Sequence, residues 1–260
     1  MRGFFMLIDS HCHIDFDELA PLGPLLDACR QVGVEALVVP GVSLDHLSRP
    51  LELARQHPML WPAAGFHPWY LPADKAAFGV LEDFARRHAG ELVAIGEAGL
   101  DKFKGPDAAT QEWWLERQLE LAASLNKPII LHSVGTHARL TAILKNHPGA
   151  RGVVHAFSGS GEQARDFVRL GFYLGVGGVI TRASATKTRQ ALAQVPLASL
   201  LLETDAPSML PEGISAAHNS PAFLPLIHKA LSEALQVPLD DLGLVLTANA
   251  RRLFQGAETG

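Results

Sequence analysis

The chain has 260 residues, of which 48% are hydrophobic, and a formal net charge of −5. That is ample apolar material for one large core, so a single domain over residues 1–260 is expected. The acidic balance excludes a protein that coats nucleic acid by bulk positive charge, and no apolar run reaches the roughly 20 residues needed to cross a bilayer.

The first strand is expected at residues 6–9 and runs into Asp9-Ser10-His11-Cys12-His13. The apolar stretch around it, residues 4–8, is too short for a signal peptide and lacks a cleavage site, so a cytoplasmic location is expected. Helical spacing over 22–32 closes at Gly33 and leads to a strand at 35–40. A helix at 44–56 precedes a strand at 60–65, which enters Gly65-Phe66-His67-Pro68. Next come a helix at 76–88 and a strand at 92–97, ending in Glu97. A helix at 111–125 breaks at Asn126-Lys127-Pro128, and the strand at 128–132 ends in His132. A helix at 138–145 is followed by strands at 152–155, ending in His155, at 172–176, and at 199–203, which enters Glu203-Thr204-Asp205. Two more helices are expected at 221–236 and 239–254. Strands alternating with helical segments predict an α/β fold, a (β/α)8 TIM barrel with extra C-terminal helices. An open doubly wound sheet fits the same alternation, but no Gly-x-Gly-x-x-Gly follows the first strand.

In such a barrel the reactive groups gather where the strands end. His11 and His13 leave extended backbone on one side, while Cys12 points to the other. Together with Glu97, His132, His155 and Asp205 they supply enough nitrogen and carboxylate ligands for two divalent cations sharing a bridging group. The donor set accommodates zinc, manganese, magnesium, nickel or iron. A lone His-x-His is usually an exposed pair. The same residue types at four further strand ends form a set, and the set points to metal-assisted hydrolysis at phosphorus or carbon. No Gly-x-Ser-x-Gly elbow is present for serine hydrolase chemistry. Cys12 and Cys29 fit a reducing compartment, where thiols pack as small apolar groups.

The segments His11-Cys12-His13, Gly96-Glu97-Ala98-Gly99-Leu100-Asp101, Leu131-His132-Ser133, His155-Ala156-Phe157-Ser158-Gly159 and Leu202-Glu203-Thr204-Asp205-Ala206-Pro207 occur in this order, before a closing Asn249-Ala250-Arg251-Arg252-Leu253-Phe254. On these motifs the chain resembles the TatD-type metal-dependent hydrolases of the amidohydrolase superfamily. The resemblance implies a barrel with two divalent ions and a hydrolase often active as a deoxyribonuclease, typically trimming DNA from a 3′ end. It implies His11, His13, Glu97 and Asp205 around one ion and Glu97, His132 and His155 around the other, with Glu97 bridging. It also implies that His67 contacts the substrate phosphate or leaving group, and that Asp205 takes a proton from the attacking water. Three departures fall in substrate-facing loops. Val134 stands where many members have Arg, Lys102 and Phe103 where others have an aromatic pair, and His218-Asn219-Ser220-Pro221 where the pattern is Arg-Asn-x-Pro.

Around the site, Lys102, Lys104, Arg182, Lys187 and Arg189 are candidates for a positive rim, and Phe66, Trp69 and Phe103 for stacking on a base or capping the cleft. Trp113 and Trp114 read as structural, one packed on the barrel and one near the surface. His46, His57, His88, His137, His147 and His228 read as surface or helix-terminus groups. The leading function is phosphodiester cleavage at nucleic-acid ends. Its rivals are carboxylic-ester, lactone or amide hydrolysis on the same barrel, aminoacyl-tRNA included, and a non-catalytic metal-binding role. A monomer with no obligate protein partner and no membrane association is expected.

Overall fold

The computed structural model describes residues 6–256; residues 1–5 and 257–260 of the expected domain lie outside the described residues. Eight strands form one parallel sheet in chain order: β1 (Leu7–Asp9), β2 (Val34–Val39), β3 (Leu60–Ala64), β4 (Ala94–Asp101), β5 (Ile129–Val134), β6 (Gly152–Val154), β7 (Phe172–Val176) and β8 (Leu200–Leu202). Among the described residues seven α-helices lie between them: α1 (Leu22–Gln31), α2 (Arg49–Gln56), α3 (Phe78–Arg87), α4 (Ala108–Ser124), α5 (His137–Leu144), α6 (Gly161–Arg169) and α7 (Thr186–Leu192). Two more, α8 (Leu224–Leu235) and α9 (Leu239–Phe254), follow β8. This is the (β/α)8 barrel expected.

Two boundaries differ from the sequence reading by more than three residues. The helix expected from residue 44 starts at Arg49, with Pro50 in its first turn, where a missing N–H costs nothing. The strand expected to end at Glu97 continues to Asp101, because its register against β5 shifts between Ile95 and Ala98. Such a bulge re-aims a side chain while pairing resumes beyond it.

Alternation along the strands builds two layers. Leu37, Val39, Ile95, Ile129, Leu131, Leu174 and Leu202 belong to the apolar layer shared with the helices. Ile8, Val38, Ala63, Ala94, Ile130, Val153 and Leu201 form an inner cluster, which Ala250, Leu253 and Phe254 of α9 join. The Thr247 hydroxyl donates to the Met6 carbonyl (2.7 Å), and the Asn249 amide to the carbonyls of Leu197 and Leu200 (2.8 and 2.9 Å). α9 therefore closes the end where the strands begin and leaves the opposite end open.

Between β1 and β8 the ladder gives way to a buried clamp. Ser10 N–H donates to the Leu202 carbonyl (2.9 Å), and the Asp9 carboxyl receives Thr204 N–H (3.0 Å) and the Thr204 hydroxyl (2.5 Å). Burial pushes the Asp9 carboxyl up to about 8, against the pull of its Thr204 and His11 donors.

Candidate metal centre

The groups expected at the strand ends converge at the open mouth. His11 and His13 follow β1 and His67 follows β3. Glu97 and His132 lie within β4 and β5, His155 comes directly after β6, and Asp205 comes after β8. All are buried except Asp205, whose side chain is 13% exposed. Local backbone explains the aim of several. Glu97 sits at the β4 bulge, its N–H held by the Gly41 carbonyl at 2.7 Å. Gly99 has φ +147°, and a Cβ there would run into the His132 carbonyl, so only glycine lets β4 lie this close to β5 beside His132. Asp205 has φ +57°, an uncommon conformation for a side-chain-bearing residue; its N–H bonds the His11 carbonyl (2.9 Å), tying the last strand end to the first.

Glu97 is the hub. Its Oε2 lies 3.2 Å from His11 Nε2 and 3.5 Å from His13 Nε2. Its Oε1 lies 2.8 Å from His155 Nε2, 3.1 Å from His132 Nδ1 and 3.3 Å from His67 Nε2. Asp205 Oδ1 completes the first group, 3.6 Å from His11 and 3.7 Å from His13. Three sets of ligand atoms lie within 4.8 Å of one another: His11/His13/Asp205, His11/Glu97/His155 and His67/Glu97/His132.

Neighbouring hydrogen bonds decide which ring nitrogens carry protons. His132 Nε2 faces Asp101 Oδ2 at 3.1 Å, so its proton belongs there and Nδ1 presents a lone pair to the centre. His67 is the reverse. Its Nδ1 accepts from Trp69 N–H (3.1 Å), so the neutral ring carries its proton on Nε2, pointing at Glu97. Burial lowers the pKa of His67 and keeps it in that neutral form. Burial also lowers His11, helped by the nearby His155, and opposes charge on His155, where the Glu97, Glu203 and Asp205 carboxylates prevail and hold the proton well above the ordinary imidazole range.

The donor set fits divalent cations. His11 Nε2 lies 3.2 Å from His13 Nε2, and His132 Nδ1 lies 3.1 Å from His155 Nε2, so lone pairs converge in space too tight for protons on every nitrogen. Glu97 Oε2 is buried without a hydrogen-bond partner, and imidazole with carboxylate is a borderline-to-hard set suited to zinc, manganese, iron or nickel.

Several roles were not read from the sequence. Asp101 takes His132 Nε2–H, Trp69 Nε1–H (2.8 Å) and the N–H groups of Phe103 and Lys104 (2.7 and 3.1 Å). Glu203 accepts from Ala156 N–H (2.5 Å) and the Ser10 hydroxyl (3.3 Å), with His155 Nδ1 at 3.7 Å. Both lie in motifs that the sequence displays, yet only their neighbours reveal what they hold. Of the basic rim, Lys104 lies over the Trp69 ring (4.0 Å) beside the pocket, and Lys102 over Phe103 (6.0 Å). Arg182 is exposed and does not line the pocket, and Arg189 is spent on the carbonyls of Ile180 and Arg182 (2.9 and 2.8 Å). Phe66 is fully buried and so cannot stack on a base; Trp69 and Phe103 are exposed. Trp114 packs in the core and Trp113 at its edge, as expected. Cys12 is buried in the core, facing away from His11 and His13. His137 and His228 are buried: His137 opens α5, a helix-terminus position as expected, with its ring against Phe157 and Phe167, whereas His228 lies inside α8 and is neither a surface nor a terminal group.

The TatD related DNase family matches residues 8–255. An uncharacterized metal-dependent hydrolase of Escherichia coli (strain K12), YjjV, is 41% identical over 255 residues, covering 95% of this chain and 97% of that protein. The crystal structure of YjjV, a TatD homolog, superposes with a TM-score of 0.92 at 40% identity, covering 97% and 99% of the two chains. The 3′-5′ ssDNA/RNA exonuclease TatD of Edwardsiella piscicida is 35% identical over 244 residues, 87% of this chain and 90% of that one. Convergent imidazoles and carboxylates at the barrel mouth and a match over nearly the whole length agree: the chain belongs to the TatD related DNase family and is a metal-dependent hydrolase.

Proposed function

We propose that the chain removes nucleotides from the 3′ ends of single-stranded DNA or RNA, using two divalent cations held by His11, His13, Glu97, His132, His155 and Asp205. One observation carries the two-cation reading. The two oxygens of Glu97 face different imidazole sets, Oε2 toward His11 and His13 and Oε1 toward His132 and His155, which is the arrangement a bridging carboxylate needs. The relatives named as 3′-5′ exonucleases support the choice of substrate.

When bound, the cations supply Lewis-acid polarisation of the phosphoryl oxygens and acidify the attacking water. Asp205 turns Oδ1 to His11 and His13 and keeps Oδ2 to accept the proton that this water gives up. His67 lines the same pocket with its proton on Nε2, placed to donate to a phosphoryl oxygen or to the departing 3′ oxygen. Lys104, held over Trp69, and Lys102 bring positive charge to one side for the flanking phosphates. Water oxygen bonds to phosphorus, the bond from phosphorus to the 3′ oxygen breaks, and that oxygen takes a proton.

The test is a 5′-labelled single strand incubated with purified protein and Mg2+, Mn2+ or Zn2+ in turn. Stepwise shortening from the 3′ end that is lost in Glu97→Gln is the expected result. Intact strands alongside turnover of p-nitrophenyl esters or aminoacyl-tRNA would overturn the phosphodiester reading in favour of carbonyl chemistry. Tight metal binding with neither reaction would overturn catalysis itself.

A further inference from the structure

Two surfaces of opposite character lead away from the metal pocket. On the side built by the segments after β1, β2 and β3 lies a cleft of about 820 Å³. It shares Phe16, Val42 and Tyr70 with the metal pocket, so the two are continuous. Its walls extend the rings of the centre: His13 stacks on Phe16 (4.9 Å), Phe16 meets His46 edge-on (6.3 Å), and His67 lies 5.7 Å from Tyr70. Leu44 and Tyr70 are exposed within it at 39% and 48%. Its charged residues are acidic. Asp17 is paired with Arg49 at 3.0 Å, but no ion pair among the described residues engages Glu18 or Asp45. Beside the metal pocket, across Trp69 from Tyr70, the loop after β4 carries Lys102, Phe103 and Lys104, with Lys104 over the Trp69 ring and Phe103 74% exposed.

We propose that the cleft is the subsite for the terminal nucleoside of the strand, whose remaining nucleotides run out over Lys102, Phe103 and Lys104. The proposal rests on the nuclease reading above. A base seeks flat apolar walls, which Phe16, Tyr70 and Leu44 supply, and clefts of about 300–1,000 Å³ are the usual size for such a guest. Every further nucleotide would bring a phosphate charge past Glu18 and Asp45, where like charges repel. The lysine side has the opposite preference. With the scissile phosphate at the cations, the strand can therefore occupy the cleft with one uncharged terminal unit and no more. The acidic cleft makes the enzyme an end-trimmer that selects ends bearing a free 3′-hydroxyl.

The experiment compares kcat/KM for three single strands of one sequence: linear with a 3′-hydroxyl, linear with a 3′-phosphate, and circular. It is run on the metal-loaded wild type and on the Glu18→Gln/Asp45→Asn double variant, both positions being exposed. The circle should resist cleavage. The 3′-phosphate should slow the wild type on the order of tenfold, and the double variant should narrow that ratio at least threefold, in line with the loss of two close like charges. A phosphate penalty unmoved by the double variant overturns this proposal and leaves the nuclease reading standing, whereas cleavage of the circle as fast as the linear strands overturns 3′-end trimming as well. Cleavage of none overturns both.

Discussion

Asp101 accepts donors at both carboxylate oxygens, two at each, and they come from three sources: an imidazole of the candidate metal centre, an indole on the pocket wall and the backbone of the basic loop. Burial works against its charge, and the Phe103, Trp69 and His132 donors overcome it, holding the carboxyl below its ordinary range. An amide offers one acceptor where the carboxylate offers two. Asp101→Asn should therefore release His132 from its orientation and weaken metal binding by about 10–100-fold, read by titrating metal into apo-protein. Unchanged affinity would show that His132 needs no such support. The proton on His67 Nε2 yields a second expectation. His67→Ala should leave the metal content of the purified protein unchanged while kcat falls roughly 10²–10³-fold, the range for a lost proton donor. Loss of a metal equivalent would mean that His67 is a ligand instead.

One helix, α4, supports two of the loops that carry these groups. Gln111 and Gln118 are seven residues apart, two turns on one face, and both are buried. The Gln118 amide accepts from Phe66 N–H (2.8 Å) and donates to the Phe66 carbonyl (3.1 Å), setting the chain just before His67. The Gln111 amide does the same for Asp101 N–H and its carbonyl (2.7 and 3.0 Å), then reaches the carbonyls of Lys104 and Pro106. Gln118→Leu should cost about 1–3 kcal/mol in urea unfolding, because it strands buried backbone groups of Phe66. A midpoint within error of wild type would show that water replaces the amide. In the sequence these glutamines look like interruptions of an amphipathic stripe. Their function depends on loops 10 and 52 residues away along the chain.

Among the bonds that close the barrel is a contact joining residues 195 apart, Asp9 with Thr204. Asp9→Ala should destabilise the protein by about 1–3 kcal/mol, since Thr204 N–H and hydroxyl lose their acceptor within the core. Asp9→Asn, which keeps an acceptor for the N–H and supplies a donor to the hydroxyl, should remain near wild type. Equal losses in both would place the effect elsewhere than in this clamp. The buried imidazoles impose a pH dependence of their own. His137 packs against Phe157 (5.5 Å) and Phe167 (5.8 Å), and burial lowers the pKa of both His137 and His228. Below the ordinary imidazole range the unfolded chain takes up protons that these native rings refuse. Stability is therefore complete above that range and falls as pH drops through it. From pH 7.5 down to about 5 the urea midpoint of the wild type should therefore lose ground to that of a His137→Gln/His228→Gln double variant. An identical slope in the two proteins would remove these rings as a source of the pH dependence.

The sequence alone determined the strands and which candidate ligands reach the mouth. Alternation and helical spacing are properties of neighbouring residues, so the eight strands, their order and the candidate donors His11, His13, Glu97, His132, His155 and Asp205 could be read in one dimension. Extension of β4 past Glu97 was hidden, because a bulge arises from pairing with β5 and leaves no local signature. Only the tertiary structure decided which imidazole nitrogen is bare, that Asp101 rather than solvent orients His132, that Phe66, His137 and His228 belong to the interior, and that an acidic cleft and a basic loop both border the site. The reason is physical: proton placement, burial and charge repulsion depend on distances across space, and chain closure brings together residues whose separation in sequence carries no information about them.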